Sequence, residues 1–312
     1  MRDTSILIVH PDRKTQRTIT RILGGTGYRI DIADTLDQGM RLLQHATPLL
    51  VVVDGSAATT HQGEAFLAAA KTAGVEAAMT LLGESASREL PHVLALGAVT
   101  NLLVHPMPVL AEELTITVQK LVRGDLFGAE KYLLWGTQLR AHQLGRASQR
   151  HHLVSQLADD IRTSGQSARV ASMAMLVADE LLSNAVHNAP VDAQGNRTRK
   201  ETPRDSEMVL DDRHAVRLRW GCDARYLAVE VSDQFGSLDR DTVLGALAKS
   251  DIRETGAGAG MGISLSYRSC DHMVFNLSPG KRTEVIALID VRYPPSERTP
   301  VSSYNVFVER SP

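Results

Sequence analysis

Glu180 and Asn184 stand four residues apart in a segment, 168–188, whose apolar residues recur at helical spacing. Met173, Leu176 and Val177 form the stripe, and further steps of three or four residues carry the same face onto the carboxylate and the amide. A buried polar group without a partner costs about 1–3 kcal/mol, and a charge costs more, so a bound metal and nucleotide would supply the missing partners. An amphipathic helix whose polar residues reach solvent at its C-terminal end gives the same pattern. Two more segments carry complementary chemistry. The strand-like run 227–232 ends in Asp233-Gln234-Phe235-Gly236. A strand-end carboxylate can accept a hydrogen bond from an exocyclic amine such as that of adenine. Gly256, Gly258, Gly260 and Gly262 precede a helical run, 263–270. Glycines permit close approach to phosphate oxygens, and a helix start offers free N–H donors and a favourable dipole.

A glycine cluster alone is weak evidence. The dinucleotide pattern G-x-G-x-x-G fails in every register, its last position falling on Met261, Ile263 or Leu265, and the cluster follows a helix rather than a first strand. The P-loop needs Lys and Ser/Thr directly after its last glycine, whereas Gly280-Lys281-Arg282-Thr283 inserts an arginine.

The elements that must position these residues fall into two blocks, as a length of 312 residues suggests. From residue 5 to about 125, aliphatic runs at 6–9, 28–33, 49–53, 77–82 and 101–104 alternate with helical-period segments. That alternation predicts a parallel, doubly wound α/β sheet covered on both faces. The proline-free segment 111–164 reads as mostly helical, with residues 126–144 a helical connector. A second domain then spans 145–293: a long helix, a polar loop at 190–213, strands at 215–220 and 227–232, the glycine cluster and its helix, and strands at 273–277 and 284–291. Residues 294–312 read as an extended tail, and no repeat is visible.

Thirty-four Lys or Arg against 36 Asp or Glu give a net charge of −2, which with no clustered basic run argues against a nucleic-acid partner. Thirteen aromatics are too few for a base-stacking platform. Cys222 and Cys270 make no disulfide framework and no metal-binding spacing, so a reducing cytoplasm fits. The start lacks the pattern of a signal peptide, and the most apolar stretch, 90–111, is broken by His92, Asn101, His105, Pro106 and Pro108, so no membrane span is expected.

Taken in order, Glu180-x-x-x-Asn184, Asp233-x-Phe235-Gly236, Gly258-x-Gly260-x-Gly262 and Gly280-x-x-Thr283 resemble the GHKL superfamily of ATPases, over about residues 145–292. The resemblance implies a GHKL α/β sandwich and a Mg²⁺-ATP site. In it, Glu180 would be the general base, Asn184 the Mg²⁺ ligand, and Asp233 the acceptor for the adenine amine. Gly258, Gly260 and Gly262 would form the phosphate-contacting end of a lid, Gly236 a flexible point beside Asp233, and Thr283 a hydroxyl near adenine. Where that group has D-x-G-x-G this chain reads Asp233-Gln234-Phe235-Gly236-Ser237, so the loop after Asp233 must take another path.

The first block resembles response-regulator receiver domains, which implies a flavodoxin-like fold. Asp54, ending the third strand, falls on the phosphoacceptor position. His10 and Pro11 stand where two metal-binding acids are usual, beside Asp12; His105 stands where a lysine is usual, and Leu82 or Gly83 where a hydroxyl is usual. One carboxylate plus Asp54 is a poor Mg²⁺ cage. Asp54 then reads as a surviving carboxylate on a regulatory docking module, with working phosphotransfer or an unrelated ligand as alternatives.

Within the superfamily the helix ending Glu180-Leu181-Leu182-Ser183-Asn184-Ala185 is most similar to the serine-kinase anti-sigma factors. An atypical histidine kinase remains an alternative, with His142, His151 and His152 as phosphoacceptors, although no proline follows them as that group requires. The combined expectation is a cytoplasmic signal-transduction protein acting on a signalling partner, with the helical connector as a place for homodimerisation. Whether it is an ATP-dependent protein kinase or a non-catalytic, nucleotide-dependent interaction protein stays open.

Overall fold

The computed structural model describes residues 5–83, 85–104, 111–192, 194–199, 208–211, 215–249, 261–292 and 301–310. The chain divides into two compact units, Met1–Leu126 with Ser303–Asn305, and Phe127–Ser302 with Val306–Pro312.

In the first unit, strands β1 (Ser5–Val9), β2 (Arg29–Ala33), β3 (Leu50–Asp54), β4 (Ala77–Leu82) and β5 (Asn101–Val104) are parallel and lie in the order β2-β1-β3-β4-β5. That is the flavodoxin-like doubly wound order. Helices α1 (Arg13–Gly24), α2 (Leu36–His45), α3 (Gly55–Ala58), α4 (His61–Thr72), α5 (Ala86–Ala95) and α6 (Ala111–Arg123) connect and flank them. Every residue of β1 and the first four of β3 are buried, which is why residues 6–9 and 50–53 are continuous aliphatic runs rather than alternating ones. Side chains of Asp12, Thr35 and Thr60 accept backbone N–H bonds at the starts of α1, α2 and α4. Ile6, Ile8, Leu50, Val52 and Met79 form one side of the core, against Ile19 and Leu23 of α1 and Leu114 and Val118 of α6.

The second unit opens with a departure from the expected helical connector. Residues 126–144 hold a single 3-10 turn, Ala129–Tyr132, and then strand β6 (Arg140–Leu144). Gly128 and Gly136 adopt φ of 106° and 89°, values a helix interior does not contain. The homodimer expectation therefore loses the helix on which it rested. After β6 come α7 (Gln149–Thr163) and α8 (Ala168–Ser183), the latter continuing into a π-helical turn, Asn184–Asn188. Strands β7 (Val216–Cys222) and β8 (Tyr226–Asp233), helices α9 (Arg240–Ala248) and α10 (Met261–Arg268), and strands β9 (His272–Ser278) and β10 (Arg282–Asp290) follow. The strands pair antiparallel in the order β9-β10-β8-β7-β6. Helix α8 lies on β8 and β10, with α7 and α10 packed against it, making a two-layer α/β arrangement.

Side chains alternate across a sheet, so neighbours of the helix-facing residues on β8 and β10 point the other way. There Glu230 and Glu284 are fully buried and paired with arginines, Arg219 to Glu230 at 2.7 Å and Arg282 to Glu284 at 2.6 Å. The segment ahead of the 3-10 turn is fixed on this charged layer. The Gly128 N–H donates to Glu284 Oε1 at 2.8 Å, the Ala129 N–H donates to Glu230 Oε2 at 3.0 Å, and Arg282 stacks 4.4 Å from the Phe127 ring centre.

Within 294–312, residues 303–308 form strand β11 (Ser303–Val308), of which 303–307 are buried. It is paired: Tyr304 and Asn305 lie opposite Leu102 and Asn101, the Tyr304 hydroxyl donates to the Val99 carbonyl, and Asn305 Nδ2 donates to Asn101 Oδ1. The tail's aromatic and β-branched residues, with buried amide partners, make it a strand rather than a free extended end. No helix among the described residues is long and apolar enough to cross a membrane.

Candidate functional site

In the second unit a cavity of about 280 Å³ opens between the end of α8, the ends of β8 and β10, and α9. Asp233 and Thr283, opposite one another in the β8–β10 register, lie on its floor. Asp233 is 5% exposed. Its Oδ1 accepts the N–H groups of Phe235 at 2.8 Å and Gly236 at 3.3 Å, closing the turn that ends β8. Burial pushes the carboxyl up to about 6, against the lowering effect of those two N–H groups, the Thr283 hydroxyl and Arg282.

Gly236 does not line the cavity. It adopts φ 58°, its carbonyl accepts from the Gly280 N–H at 3.0 Å, and a Cβ there would lie 2.2 Å from Ser278 O and 2.5 Å from Lys281 N. Its role in this geometry is to seat the post-β8 loop on the β9–β10 turn. Phe235, standing where a glycine was anticipated, is buried.

Asn184 lines the cavity and begins the π-helical turn, a one-residue excess that interrupts the regular helical ladder. Its Oδ1 accepts from Asn188 Nδ2 at 2.8 Å, and its Nδ2 is buried with no hydrogen-bond partner among the described residues. Glu180, one turn earlier, is half-buried and reaches the start of α10 instead of the cavity wall. A Cβ on Gly262 would lie 2.6 Å from Glu180 Oε2 and 3.1 Å from Asn184 Nδ2. The last glycine of the alternating cluster is thus pressed onto the carboxylate–amide pair. Gly258 and Gly260 lie outside the described residues.

Three features have no counterpart in the motif reading. Asn188 extends the Glu180–Asn184 face by four more residues. Thr242, Gly245, Ala246 and Lys249 present one face of α9 to the cavity at i, i+3, i+4 and i+7, a spacing visible in the sequence once the helix is known. Arg197 comes from the polar loop, where nothing in the sequence marks it.

In the first unit Asp54 ends β3 beside a second cavity of about 330 Å³. Its Oδ1 lies 3.2 Å from His10 Nε2, and its Oδ2 accepts from the Ser56 hydroxyl and, at 3.1 Å, from the Ala57 N–H. Burial raises this carboxyl, but the His10 and Ser56 hydrogen bonds outweigh it and hold it at about 2. His10 Nδ1 accepts the Asp12 N–H at 3.0 Å, so Nε2 carries the proton given to Asp54. Asp12 is committed elsewhere, capping α1 through Lys14 and Thr15. Both carboxylates expected near a divalent cation already have protein donors, and no group of three metal-ligating side chains occurs among the described residues. These residues do not fit a Mg²⁺ site. His105 lies outside the described residues.

No family model and no curated protein matches the chain. Solved structures are similar to part of it. The signal receiver domain of an HD domain-containing protein from Pseudomonas fluorescens Pf-5 is 18% identical, with 40% of this chain and 90% of that one covered and a TM-score of 0.35. A response regulator receiver domain protein from Clostridium thermocellum is 18% identical, over 39% and 95% of the two chains, with a TM-score of 0.33. The chemotaxis response regulator CheY4 of Vibrio cholerae is 19% identical, over 38% and 98%, with a TM-score of 0.31.

Proposed function

We propose that this chain is a signal-transduction protein in which a receiver-like unit that cannot take up phosphate accompanies a GHKL-type module that binds Mg²⁺-ATP and acts on a signalling partner. The observation that carries the nucleotide reading is Asp233, a buried carboxylate in a cavity that also holds Thr283 and, on Asn184, a donor with no hydrogen-bond partner among the described residues. A ring carrying an exocyclic amine would give Asp233 a further donor from the cavity. The closeness of Gly262 to Glu180 and Asn184 supports the same reading, because it brings the last glycine of the cluster against the two helix residues of the motif, where only a glycine fits.

When bound, ATP would supply a transferable phosphoryl group. Asp233 would hold the base, Asn184 would offer its side-chain oxygen to the metal, and Glu180 would be the group to accept a proton from the attacking hydroxyl or water. General-base assistance of this kind is worth roughly 10²–10⁴ in rate. The non-catalytic alternative, a nucleotide-gated interaction protein, is favoured by one contact: the Asn184 oxygen is engaged by Asn188, so a metal must displace that bond. Isothermal calorimetry with Mg²⁺-ATP tests the reading. Binding by the wild type and its loss in Asp233→Ala are expected. No binding, or an Asp233→Ala protein that folds and binds as before, refutes it. ATP consumption with and without partner proteins, slowed in Glu180→Gln while binding persists, separates enzyme from gated binder.

A further inference from the structure

Among the described residues, three charged side chains line the cavity in the second unit: buried Asp233 and, exposed, Arg197 and Lys249. Neither cation makes an ion pair or side-chain hydrogen bond among the described residues, whereas Arg140, Arg150, Arg219, Arg282 and Arg292 of the same unit are each paired to a carboxylate.

Both are nevertheless held at the cavity by local structure. Arg197 sits in a tight hairpin closed by the Val191–Arg197 bridge. Asp192 accepts the N–H groups of Gln194 at 2.9 Å and Asn196 at 2.8 Å, and the Thr198 N–H returns to the Pro190 carbonyl. Lys249 caps α9 one face-repeat beyond Thr242, and its backbone N–H is bonded to the Gly245 carbonyl. With Asn184 Nδ2, the cavity wall carries three sets of donors that have no acceptor among the described residues, and one buried carboxylate. An uncharged ligand would satisfy Asp233 and leave the cations idle.

We propose that Arg197 and Lys249 are the anion-selecting residues of this cavity, giving it a preference for the polyphosphorylated form of its ligand over the uncharged nucleoside. The proposal rests on the nucleotide reading of the same cavity but assigns residues outside the four motifs. Guanidinium and ammonium groups answer different needs, bidentate contact and a mobile point charge. Because both are exposed, their contribution falls with ionic strength.

The test uses the full chain and calorimetry with adenosine, Mg²⁺-ADP, Mg²⁺-ATP and tripolyphosphate at low and high salt. Arg197→Ala with Lys249→Ala should weaken ATP binding about tenfold, flatten its salt dependence and leave adenosine within twofold. Arg197→Lys with Lys249→Arg should restore most of the affinity. A doubly substituted protein that binds ATP as the wild type does, or that loses adenosine equally, overturns the proposal. Wild type that binds adenosine and ATP equally also overturns it while leaving the nucleoside reading in place. Wild type that binds tripolyphosphate through these two residues, but neither adenosine nor ATP, upholds the anion site and refutes the nucleotide reading. Binding of none of the four refutes both.

Discussion

Replacing Asp233 by Asn removes a titration while keeping an oxygen that can accept the Phe235 and Gly236 N–H bonds. In the folded chain the carboxyl titrates at about 6, against 3.8 for an ordinary aspartate. Between those values the folded state holds a proton that the unfolded state has released. Stability from this group is therefore fully present below about pH 4 and is lost as pH rises towards 6. A gap of about 2 pH units corresponds to about 3 kcal/mol, since each unit is worth 1.36 kcal/mol. Urea denaturation between pH 4 and 8 should then show the difference between Asp233→Asn and wild type growing by about that amount in favour of the variant, and levelling above pH 6. Taking the difference between the two proteins removes other carboxyls, including Glu230, which burial also pushes up, and Asp54, held at about 2. Adenosine carries no phosphate to titrate and should bind the wild type more weakly below pH 6, by up to tenfold per unit, while its binding to the variant stays level. Parallel stability curves for the two proteins would refute the argument that burial dominates at Asp233.

Gly236→Ala should lower stability by about 2 kcal/mol or more in chemical denaturation, because φ 58° and backbone atoms within 2.2–2.8 Å of the new Cβ allow no easy relaxation. Gly245→Leu should leave stability within about 1 kcal/mol, since no heavy atom lies within 4 Å of its Cβ position, yet reduce nucleotide affinity by more than tenfold by filling the cavity from α9. Unchanged affinity would remove α9 from the binding wall. Acetyl phosphate or beryllofluoride with Mg²⁺ should leave Asp54 unmodified, as His10, Ser56 and Ala57 already occupy its oxygens; a phospho-Asp54 peptide in mass spectrometry would contradict this.

The first unit is readable from sequence because strands buried on both faces must be aliphatic along their whole length, and residues 6–9 and 50–53 are. β6 hides because only Leu144 of its five residues is buried, so no apolar alternation marks Arg140–Leu144 as a strand. An absence of proline there was compatible with a helix, but Gly128 and Gly136 at positive φ were the opposing signal. β11 hides in a Pro- and Ser-containing segment, and its buried Asn305 finds its partner Asn101 some two hundred residues away. The site divides in the same way. Spacing four apart places Glu180 and Asn184 on one helix face, and a strand end announces Asp233. Arg197 reaches the cavity only through a hairpin whose tertiary position no local pattern encodes.

The charged layer behind the sheet constrains how this sequence can drift. Removing one member of a buried ion pair leaves its partner unneutralised and costs about 3–5 kcal/mol, a large part of the 5–15 kcal/mol that holds a domain folded. Glu230 and Glu284 each also hold a backbone N–H of the segment that follows Leu126, so a loss at either position releases that segment as well. Arg219 with Glu230, and Arg282 with Glu284, are therefore expected to change together, with an acceptor kept for the Ala129 and Gly128 N–H groups. Single substitutions at these four positions consume much of the margin that keeps the unit folded, so a library of paired replacements that keep those two acceptors should yield more folded proteins than one of single replacements.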